Sequence, residues 1–447
     1  MSIELLAIKF NHDPHSHTGD ALNIRRNVTP TATVTAPEWV RGMTKPEDSP
    51  AAYSIRDTRN HTITIQAKLA RLVPSITKAE IRAIQTPPPP PPKGWKKWLA
   101  DMLERFPILW HILAFLFVRG VGQNVLGMVK PTEVSFPASG ETGFVSFELD
   151  KHWLQQRGIH RAIVRWRWQY RLSPTQNWTA FADTEHVIYT VLQTPAAPWV
   201  QDPYPNDQNP WTDVLDFACE WAAFQTDPDD AATAITRWVN EGGALKGVKL
   251  QYDSSSGDSQ YIRIDGMDSK FAATDFVQYL RTGASAGSIV NCVDCASIVT
   301  TFANILGCDL MAGYMCSTKD IGKSTKFNLN DIQPIGSSVW ASPFYGKFSY
   351  HEVAWKGSGG HSDPLYDACL KVDADSDPWS TGPPHTAELP TNMPFSTLAA
   401  NVALPIATPF TAKSYRERLA ANDGNGIGKF KPWGGQIGTN NGRRKVV

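Results

Sequence analysis

The sequence predicts an α+β chain: an N-terminal antiparallel β-sandwich carrying a Pro-rich and helical insertion, then a domain of mixed helices and strands. Three observations carry this. Arg161 to Arg171 alternates, with Ala162, Val164, Trp166, Trp168 and Tyr170 on one face and Arg161, Arg165, Arg167 and Arg171 on the other, the pattern of a half-buried antiparallel strand. From Cys292, apolar residues recur at Ala296, Val299, Ala303 and Leu306, the period of one helix face. Between these segments, the Pro-rich stretch from Ala196 to Pro210 reads as a linker and places a domain boundary near 200–210.

Size and charge narrow the classes. A chain of 447 residues exceeds one typical core, so two or three domains are expected. Its 43 basic residues balance 43 acidic ones, and nothing in that balance asks for nucleic acid as a partner. Six cysteines, spread from Cys219 to Cys369, are too few for a disulfide scaffold at this length and point to free thiols and a reducing compartment. The first ten residues lack the basic start and long apolar run of a secretory signal. The expected location is the cytoplasm, or outside it by a signal-independent route. The 16 tryptophans read first as buried residues and second as sugar-stacking platforms.

Residues 1–60 show little periodicity and read as extended or loop structure. Alternation from His61 to Leu69 begins a strand, and Glu80–Ile84 is a second. Pro87 to Pro92 is a stiff extended spacer. It leads through the basic, aromatic stretch Lys93–Leu99 into an apolar run, Phe106 to Val118, interrupted by His111 and followed by Arg119. That run falls short of the roughly 20 residues needed to span a bilayer. A buried helix is the first reading; an interfacial helix over 93–119 that meets a membrane or partner is the second. Residues 86–129 are therefore expected as an insertion in a β domain made of 1–85 and 130–200. Strands resume at Val134–Phe136, Gly143–Leu149, Arg161–Arg171 and His186–Leu192. Short strands separated by turns resemble an immunoglobulin-like sandwich in architecture, with no disulfide pair to match. The Arg face reads as a solvated surface shared with carboxylates, or as a dock for an acidic partner.

A second domain is expected over 201–423. Trp211–Gln225 and Ala231–Asn240 read as helices, with Pro228 before the second and Gly242-Gly243 after it. Tyr261–Ile264 is a short strand and Thr274–Arg281 a short helix; Phe348–Trp355 and Leu365–Val372 are strands. The Gly-, Asn- and Lys/Arg-rich stretch 424–447 is expected to be a flexible tail.

The chemistry centres on Cys292. A Gly-rich approach (Gly283 to Ser288) precedes it, Asn291 can cap the helix that follows, and Gly307 suits its end. A thiol at a helix N-terminus sits in a field that favours its anion. Asp294, in the first turn, suits the same dipole but would oppose a thiolate if it pointed that way. A thiol nucleophile needs a base, and the base needs a group to orient it. On the two later strands His351 shares a face with Val353 and Trp355, and Asp367 shares one with Leu365 and Cys369. Rivals exist. Cys292-x-x-Cys295 suits zinc or a redox disulfide, although Cys308 and Cys316 are poorly spaced as a second zinc pair. His361, in the Gly357–Ser362 loop, is an alternative base, and Asp363 a competing carboxylate. The backbone N–H of Cys292 is a candidate oxyanion donor, with Asn291 or a residue from 211–261 as the second.

These residues, in this order, resemble the core of the transglutaminase-like superfamily, a papain-like cysteine fold. The family's pattern is a cysteine, Asp at +2, Ala at +4, Gly near +15, then a strand opening with His and an Asp strand about sixteen residues on. Here these are Cys292, Asp294, Ala296, Gly307, His351 and Asp367. The likeness covers about 285–375. The glycine usual before the nucleophile is displaced to Gly287, and the tryptophan usual after the motif's His stands at Trp355. The resemblance implies a papain-like α+β domain with Cys292 as nucleophile, His351 as general base and acid, and Asp367 as orienter. It implies a protein or peptide substrate and calls for neither cofactor nor metal. The expected activity is protease, amidase, glutamine deamidase or transglutaminase. Two other classes stay open: a secreted effector or toxin docking through the helical insertion, and a non-catalytic β-sandwich binding protein.

Overall fold

The computed structural model describes residues 2–12, 20–26, 32–87, 126–150, 154, 158–199, 209–241, 249–265, 268–283, 287–317, 326–341, 343–357, 362–375, 382–396, 414–420, 427–432 and 443–447. It is a mixed α+β chain built mostly of strands, in two units: Met1–Thr194 with Gln201–Thr212, and Pro195–Val200 with Asp213–Val447. Residues 88–125, which hold most of the polyproline run and the apolar segment, lie outside the described residues. Among the described residues no helix is long and apolar enough to cross a membrane.

The first unit has two sheets. Strands β1 (Ile3–Lys9), β2 (Trp39–Val40), β4 (Thr64–Arg71) and β7 (Glu141–Glu148) form one, in the order β2-β1-β4-β7. Strands β3 (Ala51–Ser54), β5 (Lys78–Gln85), β6 (Val129–Ser135), β8 (His160–Arg171) and β9 (Thr179–Val191) form the other, in the order β3-β9-β8-β5-β6. Pairing is antiparallel except for β3 with β9. One buried cluster draws on both sheets, with Trp166, Trp168, Ile81 and Ile188 from one and Ile3, Leu69 and Phe147 from the other. The alternation along β8 is real burial: Val164, Trp166 and Trp168 are fully buried. Both indoles find acceptors, Trp166 at Gly127 O (2.9 Å) and Trp168 at Thr184 Oγ1 (3.2 Å), as buried indoles usually do. On the other face Arg165 pairs with Glu185 (2.8 Å) and Arg167 with Asp183 (3.0 Å), the solvated arrangement shared with carboxylates.

Residues 1–60, expected as extended or loop structure with little periodicity, hold β2, β3 and the seven-residue β1. This strand pairs with β4 along its length, but a bulge between Leu5 and Ala7 shifts the register and breaks the period of two. A window that looks for strict alternation therefore misses it.

In the second unit, helices α1 (Thr212–Trp221) and α2 (Pro228–Glu241) are followed by β10 (Gln251–Tyr252), the hairpin β11 (Ile262–Asp265) and β12 (Asp268–Phe271), and α3 (Ala273–Thr282). Strand β13 (Ile289–Val290) pairs parallel to β10 with Tyr252 opposite Val290, and runs straight into α4 (Cys292–Asn304). A five-stranded antiparallel sheet follows: β14 (Met311–Ser317), β15 (His351–Trp355), β16 (Pro364–Tyr366), β18 (Met393–Pro394) and β19 (Ile427–Pro432), in the order β18-β16-β15-β14-β19. Helix α4 packs on β14 and β15 and against α2.

Three expectations are corrected here. Helix α4 is buried on every side, not on one apolar face. Its polar side satisfies itself: Ser297 donates to Val293 O, Thr300 to Ala296 O, and Asn304 to Leu310 O and Ala197 O. The strand expected over Leu365–Val372 is two, β16 and β17 (Leu370–Asp373), in different sheets. Asp367 breaks the chain between them by accepting the N–H of Cys369 (2.7 Å) and Leu370 (3.3 Å), an Asx turn that competes with the ladder. The expected tail from 424 holds β19, paired with β14, and β20 (Lys445–Val446), paired with β12. Its glycines and basic residues point to a flexible tail, yet Arg444 and Val446 are buried.

Candidate active site

The N-terminus of α4 is closed by a capping box. The side-chain oxygen of Asn291 accepts from Val293 N (2.9 Å) and Asp294 N (3.1 Å), and Asp294 Oδ2 accepts from Asn291 N (3.1 Å). The carbonyl of Asn291 takes the N–H of Cys295. The first-turn donor that none of these bonds uses is the N–H of Cys292. Asn291 Nδ2 donates to Gly257 O (2.7 Å). Its side chain is thus committed to holding the helix tip, which counts against the expected role as second oxyanion donor.

Asp294 does not face the thiol. Its two oxygens accept from Gln260 N (2.8 Å), Tyr261 N (2.8 Å) and Asn291 N, so it staples the 253–261 loop onto the helix. Burial raises its pKa to about 6 against the pull of those three donors. The loop is itself a folded turn, with Asp253 accepting from the N–H groups of Ser255, Ser256 and Asp258.

Cys292, the first residue of α4, is buried at 6% exposure. His351 opens β15 and is fully buried. Its Nε2 lies 3.0 Å from Asp367 Oδ2. Its Nδ1 has no conventional hydrogen-bond partner among the described residues, and the Cys292 thiol lies close enough to the ring to favour the charged form. Burial alone would lower the His351 pKa; the Asp367 carboxylate, by charge and hydrogen bond, and Cys292 outweigh it and push it up to about 10. The imidazole is stacked on Phe348 (centroids 5.5 Å) and Tyr415 (6.4 Å). Tyr252 and Tyr350 also lie near Cys292: burial first, then the cysteine, raises the pKa of each phenol. Phe344, held at φ +53°, packs on Tyr252 and Phe348.

Of the residues expected in the site, Cys292, His351 and Asp367 come together. Cys295 does not pair with Cys292; its thiol interacts with that of Cys369, and Cys292, Cys295 and Cys369 are free thiols. Cys308 lies near Asp229 and Lys356 instead, and Asp363 lies against Gly357. His361 is outside the described residues. One group with metal-ligating atoms within 4.8 Å of one another is Asp373, Asp375 and His385. There Asp373 accepts from Asp375 N and Thr386 N and bonds His385 Nδ1 (2.6 Å), so its oxygens already tie two segments together.

No protein-family model matches the chain, and no curated protein sequence does. A crystal structure of red sea bream transglutaminase aligns with 83% of this chain and 58% of that one, at a TM-score of 0.39 and 11% identity. This chain spans less than two thirds of that protein's length.

Sequence reasoning missed Tyr415 in helix α5 (Tyr415–Leu419), whose hydroxyl donates to Asp367 Oδ2 at 2.6 Å. The spacing Ser414-x-x-Glu417 is a capping signal for that helix, and Ser414 N does donate to Glu417 (3.2 Å). Nothing in the sequence marks its partner.

Proposed function

We propose that the second unit is a cysteine acyl-transfer enzyme acting on amide carbonyls of a protein or peptide. The observation that carries this is the buried His351–Asp367 pair at 3.0 Å beside a thiol at a capped helix tip. The Cys292 thiolate attacks the carbonyl carbon, and the oxyanion formed is met by the N–H of Cys292. The His351 imidazolium gives its proton to the nitrogen as the C–N bond breaks, leaving a thioester and a neutral amine or ammonia. Water or a second amine then attacks the thioester while imidazole takes its proton, and the C–S bond breaks to return the thiolate beside the imidazolium. Asp367 holds the ring so that Nδ1 serves the sulfur. Water as acceptor gives proteolysis or deamidation; an amine gives transamidation. The discriminating measurement is mass spectrometry of a protein mixture treated with wild-type enzyme and with Cys292→Ala. Cleaved peptides, roughly one-dalton shifts at glutamine, and added amine separate the outcomes, and identical spectra from both enzymes would end the proposal.

A further inference from the structure

We propose that Tyr415 is a positioning residue of this site, acting on both Asp367 and His351; the inference rests on the reading of Cys292 as the nucleophile. The hydroxyl donates to Asp367 Oδ2 at 2.6 Å, the same oxygen that takes His351 Nε2 at 3.0 Å, while Oδ1 takes the N–H of Cys369 and Leu370. The Tyr415 ring lies nearly parallel to the imidazole at 18°, and Phe348 does the same at 17°. The imidazole is therefore stacked with two rings, and one of them also holds its carboxylate. Tyr415 is fully buried, and burial followed by Asp367 keeps its pKa far above the ordinary phenol value, so it remains a donor at working pH. The helix that presents it is anchored on both sides. Arg416 N donates to Phe395 O (2.9 Å), Asn330 N to Leu419 O (3.0 Å), and Arg418 pairs with Glu388.

The chemistry follows from the donor. Asp367 Oδ2 is shared by the Tyr415 hydroxyl and His351 Nε2, so the hydroxyl fixes the oxygen that orients the imidazole toward Cys292. Tyr415 thus acts on the thiol through the orientation of Asp367 and His351.

The test is the pH profile of iodoacetamide alkylation at Cys292 in the full chain, read by mass spectrometry of the Cys292 peptide. Tyr415→Phe keeps the ring and removes the donor. Alkylation at pH 6.5 should become several-fold slower, because Asp367 loses the donor that fixes it toward His351. Replacing Tyr415 with 3-fluorotyrosine keeps the shape and strengthens the donor, and should move the rate the other way; this variant decides the matter if the Phe variant melts at room temperature. Asp367→Asn and His351→Ala are the reference variants. If they are slowed while both Tyr415 replacements keep the wild-type profile, Tyr415 only fills space and the inference is overturned. If the reference variants themselves label like wild type, the acyl-transfer reading fails first and leaves Tyr415 nothing to position.

Discussion

At the scale of single residues the site is a set of charges arranged around one ring. His351 is buried, and burial opposes its charge, yet Asp367 and Cys292 leave its pKa near 10. The consequence for stability has a definite sign. A histidine whose folded pKa exceeds its unfolded value of about 6.5 contributes fully below that value and loses the contribution as pH rises toward its folded pKa. Urea melts of wild type and His351→Gln should therefore differ most at pH 6 and converge as pH approaches 10; a constant gap would contradict the charged imidazole. The thiol offers a second check. Near pH 6.5 iodoacetamide should label Cys292 ahead of Cys219, Cys295, Cys308 and Cys369, and His351→Ala should remove the difference. Even labelling in the wild type would argue against an activated thiol.

At the scale of elements the cap of α4 decides where the thiol stands. Asn291 supplies both the acceptor for two first-turn N–H groups and the bond to Gly257. Asn291→Ala should cost about 1–2 kcal/mol, measured by chemical denaturation, and slow Cys292 alkylation as the tip loosens; Asn291→Asp, which keeps the acceptor, should recover most of the stability. How much of this was legible follows from the same interactions. The helix and its cap were readable because each is local: a 3.6-residue period and an Asn at the right place. Strand β1 was not, because its bulge spoils the alternation that a sequence window detects. Asp367 was assigned to a strand and proved to be a turn, since its carboxylate preferred two backbone N–H groups to a ladder. Tyr415 was invisible because its meaning lies in a contact across 48 positions of chain, and no local pattern encodes a partner that distant.

At the scale of the molecule, the second unit is closed by its last described residues. Arg444 donates to Ser269 and Ser297 and forms a buried pair with Glu352, the residue beside His351. Breaking a buried pair from one side leaves an uncompensated charge, so Arg444→Ala should cost about 3–5 kcal/mol in urea melts. Replacing both partners together, Glu352→Leu with Arg444→Met, should cost much less; equal losses would show that packing and not charge is at stake. The placement of Tyr415 and Arg444 has a consequence for how the protein can be divided. A cut after Asp375 would leave one fragment holding Cys292, His351 and Asp367, and another holding the tyrosine and the arginine that fasten them. Thiol reactivity would then become a property of two molecules in association, and its dependence on their concentration would turn the site into a reporter of fragment complementation.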